Sequence, residues 1–200
     1  HESGGEKKNG RSRKINWRYS MSKAIDDLKH EHEAILFSLK ILKGMIDKLS
    51  MGNVEVREDL LRYIGFLKEF VDKCHHGKEE SILFPAMIEA GMPEKGGPIT
   101  VMLGEHAQGR GLVKMMETAI PSERNASGLA KSAEDYSILL TNHIEKENNI
   151  LFVMAEKILK PDVLDQIYAA FEEHEKKVIG HGRHEELHGM LKELKERDLP

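Results

Sequence analysis

The sequence predicts an all-α protein: an up-down-up-down four-helix bundle with an additional C-terminal helix and tail. Three observations carry that expectation. Apolar side chains recur at spacings of three and four along four long segments, the period of an amphipathic helix. Lys, Glu, Leu, Met and Ala abound while aromatic residues make up only 6% of the chain, a balance that favours helices over a sheet-based core. Short clusters of Gly and Pro separate the segments, and short connections make consecutive helices antiparallel neighbours.

The first segment carries Ile25, Leu28, His32, Ile35, Leu39, Leu42, Ile46 and Leu49 on one stripe. Met51-Gly52-Asn53 ends it, with glycine available for a left-handed cap. The second reads Leu60, Ile64, Leu67, Val71, His75, Glu79, Ile82 and Ala86, and Gly91-Met92-Pro93 and Gly96-Gly97-Pro98 break the chain after it. The third reads Ile99, Met102, His106, Gly109, Val113, Met116 and Ile120, followed by a loop from Pro121 through Gly128. The fourth reads Tyr136, Leu139, His143, Glu147, Ile150, Met154 and Ile158. Pro161 is placed to open a fifth helix carrying Leu164, Ile167, Phe171, His174 and Val178. Gly180 and Gly182 interrupt it before a charged helical tail from Arg183 to about Arg197. The fifth helix and tail are expected to pack outside the bundle or cap one end. On this reading residues 21–182 form the bundle and 183–200 the tail.

The net charge of −4 hides an asymmetry: residues 1–20 hold six basic and two acidic side chains, leaving the remainder at −8. That basic arm, diluted by Gly, Ser and Asn, is expected to be disordered, and Met21 reads like a native start. An acidic body argues against nucleic acid as a partner. No segment is apolar for long enough to span a membrane, and no apolar block marks a signal peptide. The lone cysteine, Cys74, excludes an intrachain disulfide, fits a reducing cytoplasm, and reads as a buried thiol acting as a small hydrophobe.

A phrase of metal-ligand residues is stated twice. Residues 74–84 align without a gap onto residues 142–152, and the shared His, Lys, Glu, Ile, Leu and Phe are each displaced by 68 positions. In each copy a His and a Glu lie four residues apart, one above the other on one helix face: His75 with Glu79, and His143 with Glu147. Each copy follows a Glu-His pair, Glu31-His32 or Glu105-His106. All six candidate ligands (His32, His75, Glu79, His106, His143, Glu147) fall on apolar stripes. Buried carboxylates and imidazoles are costly unless something positive compensates them, and two metal ions would do so. Imidazole with carboxylate suits iron, zinc or manganese, and the missing thiolates argue against an iron–sulfur site.

Periodicity assigns the remaining histidines. The stripe selects His75 and Glu79 over His76 and Glu80, which are expected at the surface or behind the ligands. His174, between Phe171 and Val178, is either a fifth imidazole ligand or a core histidine bonded to a ligand carboxylate. His184-Glu185-Glu186-Leu187-His188 matches the His-Glu-x-x-His pattern of zinc proteases, but too little chain follows to complete such a site, and a solvated helix is the better reading. Gly109, on the stripe beside His106, is expected either to open a small pocket for a diatomic ligand or to allow close helix packing.

These residues resemble the hemerythrin-like, or HHE cation-binding, family. The resemblance covers about Met21 to Leu159 and rests on Glu31-His32, His75-x-x-x-Glu79, Glu105-His106 and His143-x-x-x-Glu147, with Lys78 to Pro85 and Gly97-Pro98-Ile99 in the family's manner. It implies two non-haem iron ions with an oxo or hydroxo bridge, bridged as well by Glu79 and Glu147. It also implies chemistry with oxygen, peroxide or nitric oxide. Oxygen-carrying members have a second His one turn after the third-helix ligand and an Asp as the last carboxylate; here those places hold Arg110 and Glu147.

The function expected first is binding of oxygen or a related diatomic for sensing, storage or delivery, in the cytoplasm and with a possible redox partner protein. The alternatives are a di-iron oxidoreductase acting on peroxide or nitric oxide, and an iron-donating repair protein.

Overall fold

The computed structural model describes residues 22–120, 126–180 and 182–198. The basic arm expected at 1–20, Met21, and residues 121–125 of the expected loop lie outside the described residues. The described residues form six helices and no strand. Helix α1 spans Lys23–Ser50. Helix α2 runs continuously over 56–89, and α3 spans Pro98–Ala119. Helix α4 runs over 126–158, so residues 126–128, expected in the loop, are helical. Helix α5 spans Pro161–Val178 and α6 Arg183–Asp198.

Local chemistry sets the helix ends. The Ser22 hydroxyl accepts from the Ile25 N–H at 3.2 Å and opens α1. Gly52, at φ 90°, turns the chain out of α1 while the Asn53 N–H bonds back to the Lys48 carbonyl at 3.1 Å, the glycine exit expected from the sequence. Pro98 and Pro161 sit in the first turns of α3 and α5, where a missing N–H costs nothing.

The first four helices close into the bundle: α1 packs against α2 and α4, α2 against α3, and α3 along α4. Two apolar clusters fill it. One contains Ile35, Leu42, Tyr63, Phe70, Met116 and Tyr136, and the other Leu28, Phe84, Met102, Phe152 and Phe171. The stripe histidines and glutamates fall where each helix passes from one cluster to the other, so a polar layer divides the core. Helix α5 closes the second cluster with Leu164, Ile167 and Phe171. No helix among the described residues is long and apolar enough to cross a membrane.

Helices α2 and α4 do not keep an α-helical register through this layer. Residues Glu79–Leu83 and Glu147–Leu151 form π-helical turns, again 68 positions apart, and α2 has an earlier π-helical run at Leu67–His76 without a counterpart in α4. A π turn bonds i to i+5 and so holds an extra residue. The inward stripe slips by one position after each. Ile82 and Ile150 were expected inside, yet Ile150 is 53% exposed and Leu83 and Leu151 are buried.

Helix α6 is not the solvated tail the sequence suggested. Leu187, Leu191 and Leu194 are buried in the first cluster against α1 and α2. Arg183 forks onto the Glu69 carboxylate at 2.8 and 3.2 Å, and Lys48 bonds Asp198 at 3.1 Å. His184 and His188 pack on the Phe70 ring with centroids 5.2 and 5.5 Å away, so the protease-like motif serves packing.

Leu191→Ala should therefore cost about 2–5 kcal/mol, the usual range for a buried leucine. Urea unfolding checks it, and a loss below about 0.5 kcal/mol, the scale of a neutral surface change, would mean that α6 contributes nothing to the core.

Candidate metal centre

Each bundle helix delivers donors to one buried point: His32 from α1, His75 and Glu79 from α2, His106 from α3, and His143 and Glu147 from α4. All six are at most 1% exposed. They form two groups of four close donors, His32–His75–Glu79–Glu147 and Glu79–His106–His143–Glu147. The two glutamates belong to both groups. His32 and His75 face each other through their Nε2 atoms at 3.0 Å, and His106 and His143 at 3.1 Å. Glu147 Oε2 lies 3.2 Å from the Nε2 atoms of both His32 and His143, and Glu79 Oε2 lies 3.4 Å from His106 Nε2.

The donor set fits cations. All four carboxylate oxygens of Glu79 and Glu147 are buried without a hydrogen-bond partner. Burial, then the charge of Glu147, pushes the Glu79 carboxyl well above the usual carboxylate range. Burial acts on Glu147 in the same direction, but the imidazoles of His143 and His32 outweigh it and hold that carboxyl well below the range. The pair thus ionises once readily, and a second time only when positive charge is added between the glutamates. Nitrogen and oxygen donors, buried and aimed at one another, make this a metal centre.

Outer partners turn every imidazole the same way. The Nδ1–H of His75 donates to Glu31 at 2.7 Å, that of His143 to Glu105 at 2.9 Å, that of His106 to Glu80 at 2.7 Å, and that of His32 to the Asn148 side-chain carbonyl at 2.9 Å. Each Nε2 lone pair is then left facing the centre. The Glu-His pairs legible in the sequence are crossed in space: Glu31 holds His75 rather than its neighbour His32, and Glu105 holds His143. Lysines one residue before Glu79 and Glu147 complete the arrangement. Lys78, buried at 1% exposure, donates to Glu31 at 2.7 Å, Asp27 at 2.9 Å and Glu175 at 3.2 Å, and Lys146 donates to Glu105. Burial would strip the Lys78 ammonium of its proton, but Glu31 and Asp27 outweigh it and raise the pKa above the ordinary lysine value. Glu80, expected at the surface or behind the ligands, stands behind His106; periodicity did not single out Lys78, Lys146 or Asn148, whose signal was the repeat, which pairs Lys78 with Lys146 and Glu80 with Asn148.

Two histidines stand differently from the sequence expectation. His174 does not join the centre. It is half-buried on α5, and its ring bonds the Lys73 carbonyl at 3.0 Å. The Gly77 N–H reaches the Asp72 and Cys74 carbonyls instead of Lys73, and a Cβ on Gly77 would lie 2.5 Å from the His174 ring. His174 therefore serves the irregular stretch of α2. His76, on the polar side by period and expected at the surface or behind the ligands, is not at the surface: it is 5% exposed and stacks on His106 at 3.9 Å. The π-helical run explains the difference, because its smaller rotation per residue brings adjacent His75 and His76 to the same side of α2. Burial, only partly offset by Asp72, lowers the His76 pKa to about 3 and keeps its ring neutral. Cys74 is buried as expected, and burial with the Glu31 charge pushes its thiol up to about 12.

A cavity of about 240 Å³ adjoins the centre, lined by His76, His106, Gly109, Tyr136, Leu139 and His143 among others. A Cβ on Gly109 would meet Tyr136 at 3.7 Å and Leu139 at 3.9 Å, ordinary contacts. Glycine here is not forced by backbone crowding; it leaves cavity.

The family model described as hemerythrin HHE cation binding domain matches residues 23–155. Proteins named iron-sulfur cluster repair protein YtfE from Escherichia coli O139:H28 (strain E24377A / ETEC), Escherichia coli (strain K12 / DH10B) and Shigella boydii serotype 18 (strain CDC 3083-94 / BS512) are each 33% identical over 135 residues. The match covers 62% of this chain and 56% of each relative, so the chain spans about half the length of the curated relatives it matches.

Two outcomes follow from the geometry. Glu79→Gln should lower metal content yet raise the melting temperature of the metal-free protein at pH 7. A carboxyl whose folded pKa is raised gives stability that is complete below its unfolded value, 4.5, and is lost as pH rises through the folded value, and the amide escapes that loss. An unchanged or lower melting temperature from pH 5 to 8 would contradict the assignment. His174→Ala should retain full metal content while losing about 0.5–1.5 kcal/mol of stability, the net worth of one hydrogen bond; loss of metal would restore His174 as a ligand.

Proposed function

This chain belongs to the hemerythrin HHE cation-binding family, and from that premise we propose that it holds two non-haem iron ions and hands iron to damaged iron–sulfur centres. One observation carries the reading: two groups of four buried nitrogen and oxygen donors share the Glu79 and Glu147 carboxylates, whose oxygens have no other partner. His32 and His75 would hold one ion, His106 and His143 the other, and the two glutamates would bridge them. The relatives' printed name, iron-sulfur cluster repair protein, supports the iron-handling role. Bound iron supplies a redox-active Lewis acid. The chain's residues would keep that site dry, aim imidazole Nε2 atoms at it, and brace the outer carboxylates Glu31 and Glu105 through Lys78 and Lys146.

A second reading is binding of oxygen or nitric oxide, favoured by the cavity beside His106 and His143 and the missing side chain at Gly109. The wall of Leu139, Tyr136 and Val113 suits a small, weakly polar ligand.

Iron-loaded protein mixed under reducing conditions with added inorganic sulfide and an acceptor whose cluster has been destroyed should lose iron as the acceptor regains its cluster absorption. An acceptor that gains nothing while the chain keeps its iron would overturn the first reading. Gly109→Leu should keep the iron and weaken nitric oxide or azide binding by about tenfold or more, roughly 1.4 kcal/mol; unchanged binding would remove the second reading.

A further inference from the structure

The two halves of the centre are unequal where the repeat breaks. Under the 68-residue displacement Glu80 corresponds to Asn148 and His76 to Ile144. The first break changes the outer partner. His106 is held by the Glu80 carboxylate at 2.7 Å, while His32 is held by the Asn148 amide at 2.9 Å. An anionic partner makes an imidazole a stronger donor than a neutral amide does. Arg110 donates to the same Glu80 oxygen at 2.7 Å, so the carboxylate is held in place.

The second break changes the donor count. His76 and Ile144 are both buried, at 5% and 2% exposure. Both ring nitrogens of His76 are buried; Nδ1 lies 3.5 Å from the Asp72 carboxylate, longer than a good hydrogen bond, and Nε2 has no hydrogen-bond partner. A buried imidazole in that condition is uncommon, because the lost hydrogen bonds to water go uncompensated. A donor atom of His76 also lies within 4.8 Å of donor atoms on His106 and His143. Ile144 brings no donor to the other half.

Resting on the reading that the centre holds two irons, we propose that the iron between His106 and His143 is the retained ion, with His76 as its third imidazole. The iron between His32 and His75 is the exchangeable one, and it is the iron the chain delivers. The retained ion keeps the bridging glutamates compensated, so the bundle stays closed while the other leaves. The unpartnered Nε2 of His76 thus has a structural reason to be buried.

The test is anaerobic release of Fe(II) from the full chain to a coloured Fe(II) chelator. The wild-type protein should release two irons in two phases of one iron each, separated by roughly 10–100-fold in rate, the usual effect of an outer partner on metal affinity. Glu80→Asn, which copies the second repeat into the first, should speed the slow phase towards the fast one. Asn148→Glu should slow the fast phase. His76→Ile should speed the slow phase and alter the Mössbauer doublet of one iron only, while helicity by circular dichroism stays at the wild-type value. Two irons leaving in a single phase, or Asn148→Glu acting on the slow phase, would overturn the proposal. If His76→Ile fails to fold, the Glu80 and Asn148 variants still decide. Folded wild-type protein that binds fewer than two irons would remove the di-iron reading itself, whereas two equal rates would remove this inference alone.

Discussion

Two glutamates with no exposure and no hydrogen-bond donor lie between the halves of an apolar core, and the architecture answers to them. An uncompensated carboxylate pair in such a place costs several kcal/mol per charge. Four imidazoles face the pair from four helices. The stability of the closed bundle and the presence of cations at its centre are therefore one problem. That coupling is why the donors could be sought on apolar stripes: residues so costly to bury stay there only with compensation.

The outer partners make the same layer into a clasp. Glu31 on α1 holds His75 on α2, Glu80 on α2 holds His106 on α3, Glu105 on α3 holds His143 on α4, and Asn148 on α4 holds His32 on α1. Each neighbouring pair of helices is tied once, and the ring closes. A shift of one helix would misalign a donor and expose a partner at the same time. Lys78 extends the clasp to α5 through Glu175, and Arg183 ties α6 back to α2 through Glu69. The fifth and sixth helices thus hold the strand of α2 that departs most from α-helical geometry, and His174 does so as well by meeting the Lys73 carbonyl.

A centre buried in this way admits only small species. The neighbouring cavity reaches it through His76, Gly109 and Tyr136 on the His106–His143 side. His106 and His143 belong both to the donor layer and to the cavity wall, so the cavity adjoins one half of the layer only. The lone thiol of Cys74 is buried, and burial pushes it above the usual thiol range.

Much of this was legible in the chain. Period fixed the helices, the 68-residue repeat marked the six donors that the fold brings together, and the Gly and Pro clusters marked the turns. Those features are local, and a sequence reports local chemistry directly. The tertiary structure decided what depends on neighbouring helices and on helix geometry finer than one average period. A π turn adds one residue without leaving a composition signal, so the slip that buries Leu83 and Leu151 and turns His76 inward could not be read from spacings of three and four. His174 was drawn towards the centre by its stripe, but α5 lies outside α2 and its ring meets the helix backbone first. Helix α6 looked solvated because its charges are many, yet three leucines on one face suffice to seat it in the core. The crossing of Glu31 to His75 and Glu105 to His143 belongs to the same class, since which imidazole a carboxylate meets is set by how two helices are placed side by side.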